Sequence, residues 1–591
     1  MCGIAGVFGR NDRVSVDAML SALVHRGPDD VFAVEGEGFA LGARRLSIVD
    51  VAGGRQPMSN EQGTIWAAQN GELYNYPQER PRLVARGHQL HTHCDTEMLP
   101  HLYEECGDDM PARIDGMFGV AVWDAARRRG LLARDRMGKK PLYYWLDGDA
   151  LYFASEIKAL LAIKGFRREL NLDALHHYLS LKHVPSPSSI FKGIVSVPPA
   201  HRLAFTPGEL PRLSKYWDVS FATDPESEQL SDTDAADRML ALLKQGVERR
   251  LMSDVPIGFF LSGGLDSSLS TAIAAEVAGR RIQTFTLTYG EGSTTPGKDA
   301  DRTWARWVAE RFGTDHHEET VEFDSFPDSI GRIIDCFDEP FAGVISSYFL
   351  SQRIARHVKV ALSGDGADEL FGSYLSHRIA AQPPDGVCID AAWRSKLVVF
   401  DEQQKHALYA PDVLRALAAV STPDWFGRAF SGLTAADPLN RVLEAEFRTI
   451  FPDQVLTYSD RLSMAHSLEV RSAYLDTDFV SAAARLPARM KIRGGETKFL
   501  LKQIARRYFP AEMIDRPKEG FLMPVTQWFQ NDLQGYVRET LAPARLARHG
   551  LFRPDAVAAV VDRLYRPGND YHDVNRVMAL VIFQEWHERY L

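Results

Sequence analysis

Short apolar runs separated by glycine, asparagine and aspartate turns fill roughly the first 200 residues, a rhythm of strands. Phe39–Leu46, Thr64–Gln69, Gly119–Trp123 and Leu151–Ala154 read as strands, and Asn70-Gly71 directly after the second predicts a turn. Asp95–Glu105 reads as one of the few helices there. Between 206 and 235 the chain becomes polar and turn-prone, as in Thr223-Asp224-Pro225-Glu226 and Ser231-Asp232-Thr233-Asp234. This predicts a linker, with Asp232–Asp234 capping the next helix. From 236 onward, strands alternate with helices: Ile257–Leu261, Ile282–Thr288 and Val358–Leu362 are compact apolar runs. Between them, Trp304, Trp307, Val308 and Phe312 recur at helical spacing over Asp301–Phe312. Such alternation predicts a parallel sheet covered on both faces. The last stretch, roughly 150 residues, reads as mostly helical.

A chain of 591 residues is too long for one core and must form at least two domains. The net charge of −10 argues against a nucleic-acid partner. No apolar run is long enough to span a membrane, and the N-terminus lacks the pattern of a signal peptide. Five scattered cysteines form no disulfide framework, which favours a cytoplasmic setting. His91, His93, Cys94 and Cys106 match no zinc spacing, and Gly494-Gly495-Glu496-Thr497-Lys498 is not a Walker A loop.

Two sites carry chemistry. Cys2 follows the initiator Met, whose removal would leave a thiol and an α-amine on one residue, a nucleophile with its own proton relay. The surrounding Met1-Cys2-Gly3-Ile4-Ala5-Gly6-Val7-Phe8 resembles the start of class II glutamine amidotransferases. In the same order, His25-Arg26-Gly27-Pro28-Asp29-Asp30, Arg45-Leu46-Ser47-Ile48-Val49-Asp50, Asn70-Gly71-Glu72-Leu73-Tyr74-Asn75 and Asp95-Thr96-Glu97 resemble that family's further segments. The resemblance implies that Cys2 attacks the glutamine amide. Asn70 and the Gly71 N–H would form the oxyanion hole. Arg45 would grip the substrate α-carboxylate, Asp95 its ammonium, and Glu72 would complete the glutamine site.

The second site is Leu261-Ser262-Gly263-Gly264-Leu265-Asp266-Ser267-Ser268, small residues between a strand and a helix. The backbone can approach phosphate there, and the helix N-terminus favours the anion. It resembles the PP-loop of ATP pyrophosphatases, which implies ATP cleavage between the α- and β-phosphates. An acid within a phosphate loop calls for a cation, so Asp266 is expected to bind Mg²⁺. Ser363-Gly364-Asp365-Gly366-Ala367-Asp368-Glu369 resembles the acidic segment of asparagine synthetases. It implies Asp368 as the second Mg²⁺ ligand, Asp365 beside the incoming ammonia, and Ser363, Gly364 and Leu287 at the nucleotide. Arg516-Pro517-Lys518-Glu519-Gly520-Phe521 resembles a third segment, with Lys518 neutralising the α-phosphate. Asp460–Arg471 resembles a helix that frames the site.

The chain is therefore identified as resembling the glutamine-hydrolysing asparagine synthetase family. This implies an α+β N-terminal-nucleophile glutaminase of stacked antiparallel sheets over 1–205, a linker over 206–235, and an α/β PP-loop domain over 236–591. The expected substrates are glutamine, ATP and aspartate, with Mg²⁺, in a cytoplasmic homodimer. Two stretches depart from the family pattern: Arg471-Ser472-Ala473-Tyr474-Leu475-Asp476 lacks a proline, and Glu339–Tyr348 is shorter and lacks two. Both leave another carboxylic acid open as acceptor. A silent binding protein on the same fold, and a ring-closing synthetase with a degenerate glutaminase, are the remaining alternatives. Cys2, Asp266, Asp368 and Lys518 argue against the first, and Cys2, Arg45, Asn70 and Asp95 against the second.

Overall fold

The computed structural model describes residues 2–289, 298–321, 326–516 and 525–591. The first half is built on two six-stranded antiparallel sheets. One runs in the order Ile194–Ser196, Tyr143–Asp147, Ala150–Ala154, Cys2–Phe8, Phe39–Arg45 and Asp30–Gly36. The other runs Arg212–Lys215, His201–Phe205, Arg129–Arg134, Gly116–Asp124, Ile65–Leu73 and Met58–Ser59. Alternation along each strand decides how they stack. Ile4 and Phe8 meet Leu41, Ala68, Trp123, Leu132 and Phe153 between the sheets, with the Phe8 and Trp123 rings 5.2 Å apart. Ala5 and Val7 face outward onto Val16, Met19 and Leu20, in and beside the helix Arg13–Ser21. The strand carrying Cys2 is thus buried on both faces. Gly6 is required there, because a Cβ would lie 2.4 Å from the Phe153 ring.

Asn70-Gly71 is not a turn. The strand Ile65–Leu73 continues through it, with Asn70 opposite Gly119 and Gly71 opposite Phe118. A long partner strand extends the ladder past a dipeptide that would close a hairpin in isolation. A Cβ at Gly71 would lie 1.9 Å from the Met117 carbonyl oxygen, so the residue is glycine for want of space. The stretch expected as linker is partly ordered: Arg212–Lys215 pairs with His201–Phe205, and Pro225–Gln229 is helical. The helix Asp232–Arg250 is capped by Ser231, whose hydroxyl accepts from the Asp234 N–H at 3.1 Å, rather than by the aspartates themselves.

The second half contains one parallel sheet in the order Asp315–Val321, Gln283–Tyr289, Ile257–Phe260, Val360–Ser363 and Glu469–Ser472. Its first strand in the chain, Ile257–Phe260, is the central one. The order reverses there, which opens a crevice at the carboxyl ends of Ile257–Phe260 and Val360–Ser363. Most of the remaining chain is helical. The last helix, Tyr571–Tyr590, returns to the first half: Tyr178 donates to the Ala579 carbonyl at 2.9 Å, and the Phe191 and Trp586 rings lie 5.4 Å apart. Among the described residues, no helix is long and apolar enough to cross a membrane.

Candidate active sites

Cys2 stands opposite Arg45 across two adjacent strands. The residue is 3 % exposed. Burial pushes the thiol pKa up, opposed by the positive amino terminus, the Leu46 N–H and Arg45. The Gln56 amide nitrogen is 3.6 Å from Sγ, and the Gln56 oxygen accepts from the Gln69 N–H at 2.8 Å. Hydrogen-bonding partners orient the Asn70 amide: turned with nitrogen towards Cys2, it donates to the Cys2 carbonyl at 2.7 Å and accepts from Arg26 at 3.3 Å. Asp95 accepts from the Gln69 amide at 2.7 Å and the Leu73 N–H at 2.8 Å. Burial raises its carboxyl pKa against these donors. Arg45 donates to the carbonyls of Val49, Asp50 and Val51 at 3.0, 2.6 and 3.0 Å, and so holds that loop. Glu72 is buried 3.8 Å from Arg471, a residue of the other half. Burial, then Asp95 and Glu469, raise its pKa.

The crevice in the parallel sheet is a cavity of about 210 Å³ lined by Leu261, Ser262, Asp266, Ser267, Leu287, Ser363, Gly364, Asp365 and Asp368 among others. The phosphate-loop reading thus converges with the acidic loop. A Cβ on Gly364 would touch the Asp266 side chain at 3.0 Å, which measures how closely the two loops abut. Gly263 has φ +77°, and a Cβ there would strike the Asp301 carbonyl at 2.1 Å. The Ser262 and Ser267 hydroxyls hydrogen-bond at 3.0 Å, and the Gly264 N–H donates to Ser262 at 3.3 Å. Ser268 differs from expectation. It is buried in the helix Leu265–Val277 and does not line the cavity, because its helical position turns it from the loop into the core. Lys518 lies outside the described residues. Arg516, two residues earlier, donates to the Gly263 carbonyl at 2.8 Å and pairs with Asp301 at 2.7 Å.

Lys498 is a site residue that sequence reasoning missed. Its ammonium is 2.5 Å from both Asp266 and Asp368. These two carboxylates hold its pKa above the usual lysine value despite burial. The only sequence signal was a lysine after two glycines. Asp365 accepts from Lys139 at 3.2 Å and from Ser459 at 2.7 Å.

A buried ionic chain connects the two sites. Arg26 donates to the Cys2 carbonyl at 3.3 Å and pairs with Glu156 at 2.7 Å and Asp460 at 2.9 Å. Lys140 reaches Asp460 at 3.0 Å, and its neighbour Lys139 reaches Asp365. His25 and Arg461 close on Glu156 at 2.9 and 3.1 Å. Each charge is matched by an opposite one, as water exclusion demands.

Stacked antiparallel sheets with a buried N-terminal cysteine, joined to a doubly wound sheet with a small-residue loop at its switch point, define a two-domain amidotransferase architecture. The family models agree: residues 1–217 match the glutamine amidotransferase domain and residues 238–588 match asparagine synthase. The chain belongs to the asparagine synthase family. It is 28 % identical to glutamine-hydrolysing asparagine synthetase 1 of Bacillus subtilis (strain 168), over 99 % of this chain and 96 % of that one. It is 33 % identical to glutamine-hydrolysing asparagine synthetase 3 of the same organism, over 88 % and 87 %.

Proposed function

We propose that the protein is a glutamine-dependent asparagine synthetase: the part over 1–205 releases ammonia from glutamine, and the part over 236–591 uses it on a carboxylate activated by ATP. The observation that carries this reading is the meeting of Ser262, Ser267, Asp266, Asp365 and Asp368 around one cavity, with a buried ionic chain running from that cavity to Cys2.

After loss of Met1, the Cys2 thiolate attacks the glutamine side-chain carbonyl, and the α-amine takes the thiol proton and passes it to the leaving ammonia. The Asn70 amide and the Gly71 N–H stabilise the oxyanion. Arg45, Glu72 and Asp95 hold the amino-acid end of glutamine. Water then hydrolyses the thioester to glutamate. At the second site the acceptor carboxylate attacks the α-phosphorus of ATP and pyrophosphate leaves. Ammonia displaces AMP from the acyl-adenylate, giving asparagine when the acceptor is aspartate. Asp365, fixed by Lys139 and Ser459, takes the proton that the attacking ammonia must lose. Lys518 offsets charge on the α-phosphate.

Asp266 and Asp368 both contact one ammonium at 2.5 Å, so their oxygens converge on a point. Converging carboxylates beside a phosphate loop suit Mg²⁺, a hard ion with oxygen ligands. When bound, the ion would neutralise the phosphate charge. A cytoplasmic location and a homodimer complete the reading.

Ser347, from the stretch that departs from the family pattern, lines the same cavity, so the acceptor is what the experiment must vary. The test is pyrophosphate release from ATP and Mg²⁺ with glutamine, over a panel of carboxylic acids. Stimulation by aspartate with asparagine as product supports the reading. Inert aspartate beside an active alternative acid moves the same machinery to that acid.

A further inference from the structure

A second polar cluster lies on the outer side of the first half. Glu61 precedes the strand Ile65–Leu73, His88 follows the helix Tyr76–Ala85, and His101 and Glu104 share one face of the helix Met98–Cys106. One ligand atom from each of these four side chains lies within 4.8 Å of the other three. We propose that Glu61, His88, His101 and Glu104 form a structural zinc site that ties these three elements together.

His101 carries the argument. It is 1 % exposed, and among the described residues neither ring nitrogen has a hydrogen-bond partner. Its Nδ1 lies 3.4 Å from Glu61 Oε2, and His88 Nδ1 lies 3.5 Å from Glu61 Oε1. Four donors around a zinc ion at ~2.0–2.1 Å stand about 3.4 Å from one another, so small side-chain adjustments close the shell. A buried imidazole with unmet polar atoms is costly, and a metal ion satisfies it. Two carboxylates balance a divalent ion, so the closed site carries no net charge. Two imidazoles in a four-donor set favour zinc over magnesium or calcium. Behind these four side chains, Glu105 lies 3.4 Å from His88 Nε2, where a carboxylate orients a ligating ring. Asn60 donates to Glu104 at 3.3 Å and holds the Glu61 turn against the helix.

The site is distinct from the glutamine pocket but touches its scaffold. Glu61 lies between Gln56, which contacts the Cys2 sulfur, and the strand that carries Asn70 and Gly71.

The experiment uses the full chain without an affinity tag, in a Cys2→Ala background that removes a competing thiol, after stripping with a chelator. Zinc is titrated against a chromophoric chelator, and thermal unfolding is followed with and without the ion. The expected result is one equivalent bound and a melting temperature higher by about 2 °C or more. His88→Gln and Glu61→Gln, at less buried positions than His101, each weaken the affinity by about 100-fold or more. Cobalt in place of zinc shows the visible bands of a tetrahedral centre. No stoichiometric binding, variants that bind like the parent, or the faint spectrum of octahedral cobalt would each overturn the proposal.

Discussion

Arg26 and Asp460 are 434 positions apart in the chain and meet in a fully buried, two-pronged pair, at 2.9 and 3.3 Å. Arg26 also holds the Cys2 carbonyl, and Asp460 also holds Lys140. The pair therefore fixes the glutaminase strand against the helix Thr457–Met464 of the second half. Replacing Asp460 with Asn takes the carboxylate from buried Lys140 and leaves Arg26 with Glu156 alone, and should cost about 3–5 kcal/mol, read as a lower midpoint in urea unfolding. Acid should show the same interaction. Arg26 and Lys140 hold the Asp460 carboxyl well below its ordinary 3.8 despite burial. A depressed carboxylate contributes stability above its unfolded pKa, and that contribution is lost as pH falls below about 4. Unfolding curves between pH 5 and 2 should be flatter for Asp460→Asn than for the parent.

Cys2→Ala should separate the two reactions. Glutamine-dependent synthesis disappears, while synthesis from added ammonium salt continues at a comparable rate, measured as asparagine formed. Loss of both would contradict two separable sites.

Lys498→Met removes the ammonium that Asp266 and Asp368 share. Pyrophosphate release should fall by about 10²-fold or more with either nitrogen source. Glutamate formation from glutamine in the same preparation should persist, which distinguishes a local defect from misfolding.

Lys139→Met and Ser459→Ala each remove a donor to the Asp365 carboxylate. Synthesis from ammonia should fall by about 10–10²-fold through kcat, while the KM for ATP changes little. An unchanged kcat would exclude Asp365 as the proton acceptor.

Glu339 gives a pH dependence of opposite sign to Asp460. Burial lifts its carboxyl from 4.5 to about 8, although it accepts the Ile190 N–H at 2.7 Å. The folded protein binds this proton more tightly than the unfolded chain, so its contribution is complete below 4.5 and is lost as pH rises through 8. Glu339→Gln keeps an acceptor without the titration. Its stability should decline less than that of the parent between pH 5 and 8, as measured by thermal unfolding.

The strands around Cys2 were legible because their residues are locally consistent: a buried strand needs near-continuous apolar side chains whatever it packs against. The phosphate loop was legible for a similar reason, since small residues between a strand and a helix have few other uses. Asn70-Gly71 misled because its local preference for a turn is weaker than the ladder offered by Gly116–Asp124. Ser268 misled because motif membership does not say which side of the helix faces the ligand. Lys498 was marked only by the two glycines before it, and the Glu61–His88–His101–Glu104 cluster by nothing, because their partners are distant in the chain or irregularly spaced.

The sequence by itself determined the two folding patterns, their order, and the segments that carry the nucleophile and the phosphate loop. These follow from backbone preference, side-chain periodicity and the steric demands of glycine, all acting over a few residues. Only the tertiary structure decided how the sites are joined: Arg26 with Asp460, Lys139 with Asp365, and Arg471 beside Glu72. Excluding water from the junction leaves each charge in need of an opposite one, and nothing along the chain specifies which partner the packing will bring.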